Sequence, residues 1–291
     1  MLQPNLERIE RALRLFGGPQ LGQPHSLVNT FECLGAEILV RHAMLSHLPS
    51  PPSNLMAQAQ LARLFTYASL RLTDICVRRG LVEFVRSQFA SLSGKDTAGW
   101  YSFGALCIKD FHIDVGSLMD SIAPAALQAC GCFEAEGEVK FPGFADVQRV
   151  GSARSTDFRA ALPASVRESI DATDQWWPHV KAIRDTLAHR EHHKIAFGGP
   201  ADGVLFQVYA PALSPMVVHP AFLWPQGHNV ADFRRYSAYV LAEVLLFLEE
   251  LGSALTEHLQ LSRAGLNPSF RAGDFADLID PLREILGAGT P

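Results

Sequence analysis

Arg184, Asp185 and His189 stand within six consecutive positions, with Lys181 before them and Arg190, His192 and His193 close behind. An imidazole titrates near neutral pH and can take or give a proton, and a guanidinium holds phosphate oxygens through a fixed fork of donors. Across 176–196 the cations Lys181, Arg184, Arg190 and Lys194 outnumber Asp185 and Glu191, so the stretch is basic in a chain whose formal net charge is -5. The segment WWPHVKAIRDTLAHREHHKI also carries an apolar stripe, because Trp176, Val180, Ile183 and Leu187 recur at three- and four-residue spacing. A helix here buries that stripe and sends Asp185, His189 and His193 down a second one.

Arg184 and His189 are five residues apart, which on a straight helix separates them by about 140° in azimuth. They converge on one ligand only if the helix is distorted or if two subunits each supply one side of a groove. Two other uses of the same residues remain open. In the plainest, Arg184, Asp185 and the three histidines form a solvated or inter-helix polar face. In the other, Asp185, His189 and His193 at i, i+4 and i+8 grip a metal ion, with a further ligand from Asp110, His112 or Asp114 in KDFHID. The zinc-protease pattern and the paired Glu-x-x-His of di-iron bundles are both missing. Asp110, His112 and Asp114 read better as a loop or helix start.

The elements that must position these groups are mostly helical. Apolar periodicity predicts helices over 4–16, 26–48, 55–92, 155–173, 230–261 and 274–286, with Leu61, Leu64, Phe65, Ala68, Leu72 and Ile75 on the buried side of the third. Phe233, Tyr236, Val240, Val244, Leu248, Leu251 and Leu255 mark the buried side of 230–261. The motif helix is expected to run from Trp176 to the Gly198-Gly199-Pro200 stop, and Pro178 is tolerated in its first turn. Between 93 and 150 the signal weakens: SLSGKDTAGWYSFG reads as loop, and 104–130 as one or two short helices broken at Pro124. Residues 203–223 carry β-branched and aromatic runs around a proline-rich loop, which predicts a small hairpin. The fold class is therefore all-α, a helical bundle with a small β-hairpin insertion near 203–223.

Composition excludes several function classes. The most apolar run, around 239–248, is interrupted by Glu243 and falls short of the roughly 20 residues that span a bilayer, so no membrane partner is expected. The first 16 residues lack the apolar core of a signal peptide and the acid-poor character of a transit peptide. The five scattered cysteines, Cys33, Cys76, Cys107, Cys130 and Cys132, fit a reducing, cytoplasmic setting. No P-loop lysine follows the glycine and serine near Gly151, and neither a Gly-x-Gly-x-x-Gly nor a Gly-x-Ser-x-Gly motif occurs. Trp100, Trp176, Trp177 and Trp224 can stack bases but suit core packing better.

The string Arg184-Asp185-Thr186-Leu187-Ala188-His189, led by an aromatic apolar helix and followed by a long amphipathic one, resembles the Arg-x4-6-His signature of the HEPN superfamily of helical-bundle proteins. That resemblance implies a metal-independent endoribonuclease, or an inactive RNA-binding relative, that needs no cofactor and works as a homodimer whose motif helices face each other. His189 would be the general base on a ribose 2'-hydroxyl, and Arg184 would stabilise the charge on the phosphorane. Asp185, four residues before His189, would fix the imidazole tautomer, while Lys181, Arg190, His192 and His193 would contact phosphates. The dimer is expected to form through the motif helix and the 230–261 helix. One helical domain over 1–291 is expected, with 155–261 as its HEPN-like core and 1–150 as N-terminal helices of unassigned role. The alternative is a non-catalytic helical interaction protein using the same surface.

Overall fold

Helical periodicity is realised as α1 (Leu6–Gly17), α2 (Leu55–Phe89), α3 (Thr97–Ala129), α4 (Phe144–Gln148), α5 (Ala164–Asp171), α6 (Trp177–His189), α7 (Phe233–Leu259) and α8 (Ile279–Ala288). Short strands β1 (Ile195–Gly198), β2 (Leu205–Val208) and β3 (Ala231–Asp232) interrupt this order, and 3-10 turns lie at Ala172–Gln175, Pro220–Phe222 and Ala272–Leu278. These elements come from a computed structural model, which describes residues 2–17, 36–38, 40, 43–44, 47, 55–89, 97–131, 143–148, 158–189, 195–198, 205–208, 219–223, 230–261 and 272–288. Most of the expected 26–48 helix lies outside those residues. The fold is all-α with a small β-hairpin, as the residue pattern predicts.

On α2, the expected face of Leu61, Phe65, Ala68, Leu72 and Ile75 is buried and continues through Val82 and Val85, while Leu64 is half-buried. Helix α3 runs antiparallel to it, since Arg78 reaches Asp110 at 3.8 Å and Arg71, two turns earlier, reaches Asp114 at 3.9 Å. From Thr97 onwards the expected loop, whose residues 91–96 lie outside the described residues, and the expected break are replaced by one helix from Thr97 to Ala129 that passes through Pro124. Pro124 has no N–H to give the carbonyl four residues back, a loss that would end an exposed helix. Here Ile122, Ala123, Ala125, Ala126 and Leu127 are all buried, and packing on both sides of the proline holds the helix together. Asp110, His112 and Asp114 therefore sit in the middle of a helix and not at a loop or helix start.

Helix α7 is the hub. The Asp232 side chain accepts from the Arg234 N–H at 2.9 Å and caps its start, and Gln260 ends it in the left-handed conformation at φ 52°. Beyond the expected stripe, Ala238, Tyr239, Leu241, Leu245, Leu246 and Phe247 are also buried, so the helix is enclosed on nearly every side by its own chain. The exposed positions of α7 are confined to its C-terminal end, at Glu257 and His258. Helix α1 is fastened to it by charge: Arg8 Nε donates to Glu243 at 2.5 Å, Arg8 Nη1 donates to Glu250 at 3.1 Å, and Arg11 also pairs with Glu250. Arg234 and Arg235 both hold Glu284 of α8.

The β insertion begins earlier than the sequence pattern suggests. Residues 195–198, expected as the tail of the motif helix, form β1 and pair antiparallel with β2, Ile195 opposite Val208 and Gly198 opposite Leu205. β3 extends this hairpin, with Phe206 opposite Ala231, so the insertion is sewn to the start of α7. Among the described residues, no helix is long and apolar enough to cross a membrane.

Candidate functional site

Helix α6 buries the predicted stripe, because Trp176 at its threshold and Val180, Ile183 and Leu187 are all in the core, as is Trp177. Both indoles are enclosed, and among the described residues neither Nε1 has a hydrogen-bond partner, so neither ring is open to a base. Pro178 lies in the first turn as expected. The opposite flank carries Lys181, Arg184 and Asp185, and the helix closes at His189. The His189 imidazole, Arg190, His192 and His193 lie outside what the structure describes, as do the Trp100 side chain and Trp224.

Arg184 is held from three directions. Its Nη2 donates to Asp120 of α3 at 2.6 Å, and its Nη1 donates to Asp185 at 2.8 Å. Its arm lies along α3 at Gly116, where an added Cβ would come within 2.5 Å of Nε and 3.1 Å of Cγ. Only glycine leaves room for the guanidinium to lie so close to the α3 backbone. The second Asp120 oxygen accepts the Phe144 N–H at 3.2 Å and so caps α4. From α4, Gln148 donates to Thr173 at 3.1 Å and to Asp174 at 2.7 Å, in the turn that launches α6. One carboxylate thus fixes both the motif arginine and the approach to its helix.

The electrostatics follow from these contacts. Burial works against the charge on Arg184, but the hydrogen bond and charge of Asp185 and the charge of Asp120 outweigh it and raise its pKa. Burial likewise favours the neutral form of Asp185, and is outweighed by bonds from Lys181 and Arg184 that hold the carboxyl below its ordinary range. Both Asp185 oxygens are engaged by these cations, Oδ2 by Lys181 and Oδ1 by Arg184. The Arg184 side chain keeps 22% of its surface exposed, enough for a ligand oxygen to reach it.

Two residues of this arrangement, Gly116 and Asp120, were not legible as site residues. The available signal was a glycine in the interior of a helix with an aspartate one turn later, a pairing that gains meaning only when α6 lies against α3. The Gly116→Ala variant should forfeit the roughly 1 kcal/mol that alanine normally adds to a helix interior, because its methyl group displaces the Arg184 arm. A double-mutant cycle between Arg184 and Asp120, measured by urea unfolding, should give about 0.5–1 kcal/mol of coupling in the parent and close to none in the Gly116→Ala background. Undiminished coupling in that background would show that the cradle does not set the arginine.

The residues of KDFHID do not act together. His112 is wholly buried, with its Nδ1 2.7 Å from the Ile108 carbonyl and its Nε2 3.0 Å from the Tyr236 hydroxyl. Asp114 faces Arg78 at 3.4 Å and Asp110 faces the same arginine at 3.8 Å, on a different side of α3 from the imidazole. Among the described residues no group of three or more His, Cys, Asp or Glu side chains could hold a metal ion. Set against family models, curated proteins and solved structures, the chain matches none.

Proposed function

We propose that the chain is an HEPN-like protein that binds RNA through the charged flank of α6 and cleaves it there without a metal. Arg184 is the observation that carries this reading. A partly exposed guanidinium, fixed by Gly116, Asp120 and Asp185, offers a preset donor fork beside Lys181 on the helix that ends at His189. A phosphate entering the flank competes with Asp185 for Nη1 and leaves the Asp120 contact to hold the arm in place. In the cleavage step His189 takes the proton from a ribose 2'-hydroxyl and its oxygen attacks the adjacent phosphorus. The bond to the 5'-oxygen then breaks, and the leaving oxygen takes up a proton. Because α6 is a continuous helix, Arg184 and His189 meet over one phosphate only when two copies of the chain bring their α6 helices together.

A second reading is favoured by one feature of the same site. Both terminal nitrogens of Arg184 already have carboxylate partners, as they would in a helical interaction protein that uses the arginine to tie α6 to α3. Structured RNA incubated with the full chain in EDTA separates the two. The nuclease reading expects cleavage that falls by roughly 100-fold or more in Arg184→Ala and in His189→Ala, with helicity retained. Equal behaviour of wild type and both variants would leave the interaction reading, and cleavage that needs added zinc or manganese would favour the metal use of Asp185, His189 and His193.

A further inference from the structure

Lys109, in the first half of α3, is half-buried, and among the described residues its ammonium meets no carboxylate and no carbonyl. The cations nearest to it in the fold are already paired: Lys181 with Asp185, Arg184 with Asp120 and Asp185, and Arg78 with Asp110 and Asp114. A lysine buries its stem readily and keeps three donors at its head, so an unpaired head leaves its charge to water or to a ligand.

The helical turn puts Lys109 on the seam with α6. Measured from Gly116, Asp120 lies about 40° round α3 and Lys109 about 20° round it, so Lys109 shares the stripe on which the Arg184 arm rests. Asp110 and Asp114, about 120° and 160° round, face Arg78 of α2 instead. Helix α6 runs antiparallel to α3 here. At its start the Trp177 ring is 6.0 Å from that of Phe144, whose N–H is held by Asp120. Past its end the chain enters β1, where Phe197 lies opposite Phe206, a ring 6.1 Å from that of His112. From Gly116 to Lys109 is a rise of about 10 Å along α3, in the direction in which α6 advances by about 7 Å from Arg184 to His189. Lys109 therefore stands beside the end of α6, on the same seam as Arg184.

On the RNA-binding reading of α6, we infer that Lys109 holds a second phosphate of the strand that Arg184 contacts, so that the strand lies along the α3–α6 seam. The ligand is then an oligonucleotide with at least two phosphates and not a lone nucleotide. Charge favours this role over a structural one. A lysine near the end of a helix commonly donates to the last carbonyls, and among the described residues Lys109 donates to none. Lys181 and Arg184 are balanced one for one by Asp120 and Asp185, so among the described residues of the seam Lys109 supplies the net positive charge that attracts a polyanion.

Salt titration of single-stranded oligouridylate binding to the full chain tests the contact. Lys109→Met keeps the stem and removes the charge, so it should lower the slope of log K against log salt by about 0.7, while Lys109→Arg should keep the wild-type slope. Lys109→Met combined with Arg184→Ala should lower it by about 1.4, the sum of two independent phosphate contacts. Arg63 of α2 is exposed and likewise unpaired among the described residues, so Arg63→Met controls for the loss of a charge elsewhere on the chain and should leave the slope unchanged. The melting temperature of Lys109→Met should stay close to wild type, since no ion pair or hydrogen bond among the described residues is lost. A Lys109→Met slope equal to wild type, a Lys109→Arg slope as low as that of Lys109→Met, or an equal loss in Arg63→Met would each overturn the contact. If Arg184→Ala lowers the slope and Lys109→Met does not, RNA binding by α6 stands and only the Lys109 contact falls; slopes unchanged in both variants contradict both.

Discussion

Replacing Arg8 with methionine should cost about 3–5 kcal/mol of folding stability, the penalty for stripping a buried charge of its partner. Glu243 is only 1% exposed, on the helix at the centre of the molecule, and Arg8 is its 2.5 Å ion-pair partner. Burial pushes the Glu243 carboxyl above its ordinary range even with the opposing pull of Arg8, so without the arginine the charged form becomes still less tolerable. The stem of methionine keeps the packing that the arginine stem provides, which isolates the charge from the lost contacts. In the variant Glu243 can escape its penalty only by taking a proton, so the loss should be largest near pH 8 and shrink towards pH 5. Adding Glu243→Leu to Arg8→Met removes the stranded charge and should recover most of the stability. Urea unfolding of wild type and both variants at both pH values checks this, and a loss below about 1 kcal/mol at pH 8 would mean that α1 is not held by that pair.

Acid should destabilise the fold through His112 as pH falls from about 6.5 towards 4. The carbonyl of Ile108 can only accept, so His112 Nδ1 carries the ring proton and Nε2 accepts from the Tyr236 hydroxyl. Neutral imidazole is thereby fully satisfied, and a second ring proton would oblige the Tyr236 hydroxyl to turn and accept, taking the acceptor away from its own O–H. The ring is packed against Phe111, Phe206 and Tyr236, with centroids 5.5, 6.1 and 5.5 Å away, and this burial lowers its pKa to about 4. A histidine whose folded pKa lies below its unfolded value binds more protons when unfolded, so stability is full above about pH 6.5 and is lost as pH falls through 6.5 towards 4. A shift of that size is worth on the order of 3 kcal/mol. The double variant His112→Phe with Tyr236→Phe removes both polar partners and should lose this slope while keeping neutral-pH stability within about 1–2 kcal/mol. An unchanged slope between pH 6.5 and 4.5 would assign the acid sensitivity to another group.

Where local pattern and tertiary packing agree, the sequence was readable. The apolar stripe of α6 and the buried sides of α2 and α7 lie where their spacing puts them, because an amphipathic helix carries its burial in its own period. Where packing overrides propensity, it was not. Pro124 reads as a break, yet the helix around it survives because the flanking residues are buried on both sides. Residues 195–198 read as the end of a helix because Ile195, Ala196 and Phe197 continue an apolar pattern, and only β2 opposite them makes them a strand. Enclosure of α7 on nearly every side likewise depends on partners distant in the chain.

The site divides along the same line. Lys181, Arg184, Asp185 and His189 are visible as a cluster on one helix, since helical spacing alone places them. Gly116 and Asp120 come from a helix more than 60 residues earlier, and their part follows from the α3–α6 contact that no local pattern announces. His112 shows the converse. As a histidine between two aspartates it resembles a ligand set, and helical geometry turns it into the core while Asp110 and Asp114 turn to the arginines of α2.

RNA binding titrated against salt tests the central claim most directly, because it reads the α6 flank whether or not the bound strand is cut. Affinity of the full chain for single-stranded RNA should fall steeply with salt, and Arg184→Ala should weaken binding while reducing the slope of log K against log salt by about 0.7, the loss of one phosphate contact. Wild type and Arg184→Ala with the same affinity and the same slope would contradict the claim that this arginine meets RNA.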